Sequence, residues 1–152
     1  MTDQTIFEPK TPHEILRTFA VMHELRPLLV EASYVETVQR VMQQGYRLLA
    51  LDSSDSTDST DSTEGGVLAV AGFRLSESLS FGKFLYVDDL VTKEDARSRG
   101  AGAALLARLR RIARDAGCRE LHLDSGVQRH AAHRFYLRER MDITCYHFRE
   151  VL

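Results

Sequence analysis

One stretch restricts the fold more than any other: residues 97–108, RSRGAGAALLAR. Two arginines lead into Gly100, Ala101 and Gly102, and a run of strong helix formers follows at once. Glycine at a helix start lets the backbone turn tightly and leaves its N–H groups uncovered. The first four N–H groups of a helix have no intrahelical partner. Together with the positive end of the helix dipole they make an anion site. Arg97 and Arg99 add forked, charged donors suited to phosphate. The segment therefore predicts a turn between a strand and a helix that holds a phosphate-bearing cofactor, more specifically a diphosphate.

Three kinds of phosphate loop compete for this pattern. A Walker loop requires Gly-Lys-Ser/Thr at its end, and none follows. A dinucleotide fingerprint requires a third glycine, where this chain has Leu105. The third pattern, Arg/Gln-x-x-Gly-x-Gly/Ala, is met by Arg97, Gly100 and Gly102.

The 152 residues suit one domain with a real core. No run of about 18 apolar residues suggests a membrane span, and the N-terminal ten residues lack the basic and apolar regions of a secretory signal. Cys118 and Cys145 make no disulfide framework, so both read as reduced thiols of a cytoplasmic protein. The net charge of −2 conceals an asymmetry. Residues 1–96 carry 8 Lys and Arg against 16 Asp and Glu, and residues 97–152 carry 12 against 6. The basic C-terminal part suits an anionic partner.

Local patterns set the order of elements. Thr11, Pro12 and Glu14 form a capping box for a helix that runs through Ile15, Leu16, Phe19 and Met22. Ser33 and Glu36 suggest a second capping box, with Gly45 as the stop. Segments 46–52, 66–78 and 82–92 read as strands. Between the first two lies DSSDSTDSTDSTEGG, within a disordered Asp/Ser/Thr loop at 52–66, whose aspartate spacing does not suit a calcium loop. A helix at 101–116 follows, with Leu105, Leu109, Ile112 and Ala116 on one face and Arg108, Arg111 and Arg114 on another. A strand at 119–125, a helix at 128–140 and a final strand at 142–152 complete the chain. The expected fold is mixed α/β: an antiparallel meander followed by βαβ-type crossovers around a central sheet.

Motif and context together resemble the GNAT N-acetyltransferase superfamily. R-S-R-G-A-G is similar to the family's motif A, which binds the coenzyme A diphosphate. LYVDDLV resembles the strand before that loop, and HRFYLRERM resembles the family's motif B. The resemblance covers residues 46–152 through these motifs and the first two helices by order. The family often has Asn at the place of Arg129 and Gly at the place of Arg140.

This resemblance implies an N-acetyltransferase that moves an acetyl group from acetyl-CoA to an amine on a small molecule or peptide. The alternative it leaves open is an inactive CoA-binding sensor or regulatory module. Leu90, Val91 and the loop Arg97, Ser98, Arg99, Gly100, Ala101, Gly102 and Ala103 would hold the cofactor. The Val91 N–H would polarise the thioester carbonyl, and Tyr136 would protonate the departing thiolate. Asp88 and Asp89 end the strand before the loop. Alternation puts them on opposite faces, so at most one meets the acceptor, and Asp89 is the choice for accepting a proton from its ammonium, directly or through water, or for pairing with it.

Neither a metal nor a nucleic acid is expected. His130 and His133 share a helix without a matching carboxylate or cysteine, and the arginines on the 101–116 helix lack interleaved aromatics. No membrane partner is expected, and a homodimer fits this reading.

Overall fold

The computed structural model describes residues 4–53 and 66–152. Of the loop expected to be disordered at 52–66, residues 54–65 lie outside the described residues, whereas Asp52 and Ser53 belong to a strand and the Ser53 N–H bonds the Gly66 carbonyl at 2.8 Å. The chain forms two compact units, residues 1–122 and residues 123–152. A five-stranded sheet follows chain order: β1 (Gln4–Phe7), β2 (Arg47–Ser53), β3 (Val67–Ser78), β4 (Gly82–Thr92) and β5 (Glu120–Leu123). The pairs β1–β2, β2–β3 and β3–β4 are antiparallel. The expected meander is therefore present, and β4 has the bounds that its sequence pattern predicts. β1 is an addition. Its four residues carry too short an alternation to stand out, and they pair through Ile6 with Leu51 and Phe7 with Ala50.

The first helical region divides where one helix was expected. α1 (Pro12–Leu16) starts with the predicted capping box: Thr11 Oγ1 accepts from the Glu14 N–H at 3.2 Å, and Glu14 Oε2 accepts from the Thr11 N–H at 3.0 Å. α2 (Phe19–Leu25) begins after Thr18. The Thr18 hydroxyl turns back to the Ile15 carbonyl at 2.7 Å and meets the Tyr34 hydroxyl at 2.8 Å, with both residues buried. A threonine that bonds its own backbone competes with helix propagation, which accounts for the break. α3 (Glu31–Met42) starts earlier than the expected second capping box. Ser33 already lies inside it and bonds the Val30 carbonyl. Gly45, at φ 91, closes it: the Tyr46 N–H reaches the Val41 carbonyl and the Gly45 N–H the Met42 carbonyl, a Schellman stop.

Strand alternation divides the core between the two faces of the sheet. On one face Leu48, Ala50, Val70 and Val91 pack with Ile15, Val21, Met22, Tyr34 and Val38 of the first three helices. The alternate residues Leu49, Leu51 and Ala71 are equally buried and point to the opposite face. There α4 (Ala101–Asp115) packs on β2, β3 and β4. Its buried stripe is Ala101, Leu105, Leu109 and Ala113, with Leu106 beside it. The stripe runs at i, i+4, so Ile112 is only half-buried, and Ala116 is the C-cap rather than part of the stripe. Each fully buried leucine contributes about 1.5–3 kcal/mol relative to exposure.

In the second unit α5 (His130–Arg138) forms as expected. The final strand does not. Residues 142–152 adopt no strand, and Ile143, Tyr146, Phe148, Val151 and Leu152 are exposed. Their spacing of three, two, three and one breaks the period of two, so no single face of a strand would collect them.

The Thr18–Tyr34 contact gives the first prediction. Burial is the largest influence on the Tyr34 phenol and pushes its pKa up to about 12, against the lowering effect of Thr18. The unfolded chain releases this proton near pH 10 and the folded chain near 12. The stabilisation is therefore whole below pH 10 and is lost as pH rises to 12, by about 2–3 kcal/mol. Denaturant titrations at pH 9 and pH 11.5 should show this loss, and Tyr34→Phe should shrink it. An equal loss in the variant would show that Tyr34 is not its source.

Candidate active site

β3 and β4 lose register between Gly72 and Phe73: Gly72 faces Asp89, and Phe73 faces Val87. Asp88 is the extra residue, a β-bulge in β4. The bulge overturns the expectation that Asp88 and Asp89 diverge to opposite faces. Both carboxylates gather around Tyr46. The Tyr46 hydroxyl donates to Asp89 Oδ2 at 2.9 Å. Arg74 donates from Nε to Asp88 Oδ2 at 3.1 Å, while its guanidinium lies over the Tyr46 ring, 5.6 Å from the centroid. Arg26, just past α2, donates from Nε to Asp89 Oδ1 at 2.8 Å and from Nη2 to the Asp88 carbonyl at 3.0 Å.

These contacts separate the two aspartates chemically. Burial is the largest influence on Asp88 and raises its pKa, outweighing the Coulombic and hydrogen-bonding effects of Arg74 that lower it. Tyr46 is 6% exposed, and burial together with the Asp89 charge raises its phenol well above the usual value. It stays protonated and acts as a donor to Asp89. Gly72 makes room for it: a Cβ there would lie 1.9 Å from the Tyr46 hydroxyl oxygen. An isolated glycine inside a strand marks such a close approach of another group.

The last residues of β4 place the backbone groups. The Lys93 N–H donates to the Leu68 carbonyl at 2.8 Å, one step beyond the Ala69–Thr92 pair. Opposed residues of an antiparallel ladder alternate between bonded and non-bonded pairs. Val91 therefore turns its N–H toward Val70 in β3, and Leu90 and Thr92 turn theirs to the other side. The Val91 side chain is core, as expected, and this register directs its N–H into the β3–β4 ladder.

Beyond β4, a 3-10 turn (Glu94–Ala96) buries Ala96 and leads into the arginine–glycine loop. Ser98 and Gly100 both take left-handed backbone conformations, at φ 64 and φ 84. Gly100 is the N-cap of α4 and supplies no side-chain cap. The first helical bond runs from the Ala104 N–H to the Gly100 carbonyl at 2.9 Å. The N–H groups of Ala101, Gly102 and Ala103 thus sit at the open end of a 15-residue helix. Arg97, three residues before the cap, directs its Nε to the Thr92 carbonyl at 3.3 Å and its Nη2 to Glu24 at 3.6 Å. Ser98, Arg99 and Gly100 are exposed.

Tyr136 lies on α5 in the second unit and is half-buried. Burial raises its pKa, and the nearby Arg129 charge acts in the opposite direction. Arg140, where the family often has glycine, adopts φ 63. The turn keeps a glycine-like conformation that costs a larger side chain about 1–2 kcal/mol. Among the described residues no group of histidine, cysteine, aspartate and glutamate could hold a metal ion, and no helix is long and apolar enough to cross a membrane.

Sequence reasoning named Asp88, Asp89, Leu90 and the loop but missed Arg26, Tyr46 and Arg74. The isolated Gly72 was the one signal that a side chain approaches β3 closely. The other three residues come from segments distant in sequence and assemble only in the fold.

Residues 21–141 match the acetyltransferase (GNAT) family. An uncharacterized N-acetyltransferase of Bacillus subtilis strain 168, YhdJ, is 33% identical over 124 residues, spanning 81% of this chain and 80% of that one. Solved structures share the fold at low identity. A GNAT family acetyltransferase of Staphylococcus aureus subsp. aureus USA300_TCH1516 superposes with a TM-score of 0.77 at 15% identity, covering 100% of both chains. The aminoglycoside N-acetyltransferase AAC(6')-Iy, solved in complex with CoA, superposes with a TM-score of 0.77 at 12% identity, covering 99% of this chain and 96% of that one. The chain belongs to the acetyltransferase (GNAT) family and is an N-acetyltransferase.

The close approach at Gly72 gives the second prediction. Gly72→Ala must displace the Tyr46 ring and should cost about 1–3 kcal/mol. A lower thermal midpoint would show it; an unchanged midpoint would mean that the Tyr46 position is not fixed by Gly72.

Proposed function

We propose that the enzyme binds acetyl-CoA through the Arg97–Ala103 loop and transfers its acetyl group to a primary amine. The observation that carries this reading is the start of α4, where a 15-residue helix opens with no side-chain cap behind two left-handed residues. Successive N–H groups in such a turn form an anion-binding concavity. A diphosphate there would take hydrogen bonds from Ala101, Gly102 and Ala103, with charge from Arg97 and Arg99. The CoA complexes of AAC(6')-Iy, a protein of the same fold, support this choice of ligand.

Acetyl-CoA supplies the activated thioester when bound, and the chain supplies orientation and proton control. Holding amine and thioester together converts a bimolecular encounter into an effectively unimolecular step. The Leu90 N–H, turned away from β3, is the donor proposed for the thioester carbonyl as it gains negative charge. Tyr136 is the proposed proton donor to the departing thiolate. Its raised pKa keeps the phenol protonated near neutral pH, the state that a general acid requires. Asp89, held as an acceptor by Tyr46 and Arg26, is proposed to receive the ammonium end of the acceptor.

Titration of acetyl-CoA and free CoA by calorimetry tests the cofactor assignment. Both should bind one to one, and Gly100→Val should weaken them at least tenfold. A Cβ at Gly100 meets nothing within 4 Å, so the loss comes from valine's exclusion from the left-handed region rather than from crowding. Normal affinity in that variant would overturn the loop assignment.

A separate kinetic test addresses Tyr136. Tyr136→Phe should lower turnover on the order of 10²-fold with acetyl-CoA affinity nearly kept; unchanged turnover would remove the proton-donor role.

A further inference from the structure

Arg26 and Asp89 form an unequal pair. The Asp89 side chain is 13% exposed and the Arg26 side chain 52%. The acceptor half is built in: the Tyr46 phenol fixes one carboxylate oxygen, and the bulge turns out the Asp88 carbonyl beside the other. The donor half is not. Arg26 stands one residue past the end of α2, before Pro27, on a long stem, and its guanidinium bonds both oxygens while the side chain stays half exposed. Within the cluster Arg74 is the ion-pair partner of Asp88, and Arg26 is that of Asp89. A half-exposed ion pair of this kind holds by a factor of about five at most, so another cation can replace the guanidinium at small cost.

We propose that Asp89 and the Asp88 carbonyl form a receptor for a primary ammonium, and that Arg26 occupies it as an internal stand-in that the acceptor displaces. The proposal deepens the acetyltransferase reading, on which it rests, by assigning the acceptor class: a cationic amine rather than one bearing a carboxylate at the reacting end. A primary ammonium carries three donors and no acceptor, which matches two acceptor oxygens already holding a cation. An acceptor anchored by its own carboxylate would use Arg26 in the opposite sense, as a direct partner, and the same experiment separates the two.

Two assays on the whole chain test the receptor. In the first, transfer from acetyl-CoA to butylamine and 1,4-diaminobutane is measured with the wild type, Arg26→Ala and Asp89→Asn, with thermal midpoints taken for each. Arg26→Ala should lower the amine KM about fivefold, because the receptor no longer has to be vacated. Asp89→Asn should raise it. A KM that rises or stays constant in Arg26→Ala would overturn the stand-in.

In the second assay, butylammonium is titrated into the protein without cofactor while the Arg26 Nε–H resonance is followed. Release of that resonance, and tighter butylammonium binding to Arg26→Ala, support the receptor even if no amine is acetylated, a result that would sink the transferase reading alone. Failure of butylammonium to bind either protein would overturn the receptor, whatever calorimetry shows for acetyl-CoA.

Discussion

The hydrogen bond from the Tyr46 phenol to Asp89 ties the end of α3 to the bulge of β4. Tyr46 follows the Gly45 stop of α3, packs in the core between helices and sheet, and occupies the space that Gly72 leaves in β3. Its partner lies beside the bulge of β4. Helix end, strand interior and bulge must therefore agree before the bond forms. A buried phenol without a partner would cost about 1–3 kcal/mol, so the polar pair specifies the register that an apolar core alone would leave less defined. The bulge also sets both aspartates to one side and exposes the Asp88 carbonyl to Arg26.

Most of the fold was legible because its signals are local. The bounds of β4, the capping box at Thr11 and the stop at Gly45 each depend on residues a few positions apart. The readings that changed depend on contacts across the fold. Thr18 breaks the first helix by donating its hydroxyl back to the Ile15 carbonyl, and Tyr34, sixteen residues on, holds that hydroxyl in place by donating to it. The second helix starts before Ser33 because the chain enters it from Val30. Alternation assigned Asp88 and Asp89 to opposite faces, and one extra residue in β4 reversed that. The same register directs the Val91 N–H into the ladder, which is why the carbonyl-polarising role is proposed for Leu90. The phosphate loop was the most readable part, since two glycines, two arginines and a helix start lie within seven residues.

Local strain marks the segments where the chain does something other than pack. Ser98 and Arg140 hold left-handed conformations that a glycine would adopt at no cost. Ser98 sits in the proposed anion loop. Arg140 closes the turn after α5, where its N–H bonds the Leu137 carbonyl and the Met141 N–H bonds the Tyr136 carbonyl. The second of these bonds shows why the turn matters: it ties the chain after the helix back to the carbonyl of the tyrosine proposed as the acid.

The missing cap of α4 has a thermodynamic consequence. A helix usually closes its first turn with a side chain that stays in place through every state of the folded protein. Here glycine occupies that position, so the closure must come from solvent or from a bound anion. A diphosphate at this end would act as a removable N-cap, and part of the helix's stability would then be set by ligand concentration rather than by sequence. By mass action the folded state gains with each rise of ligand above its dissociation constant. Under the proposed assignment, the longest helix among the described residues is capped by the cofactor, and folding is coupled to the supply of the compound that the reaction consumes.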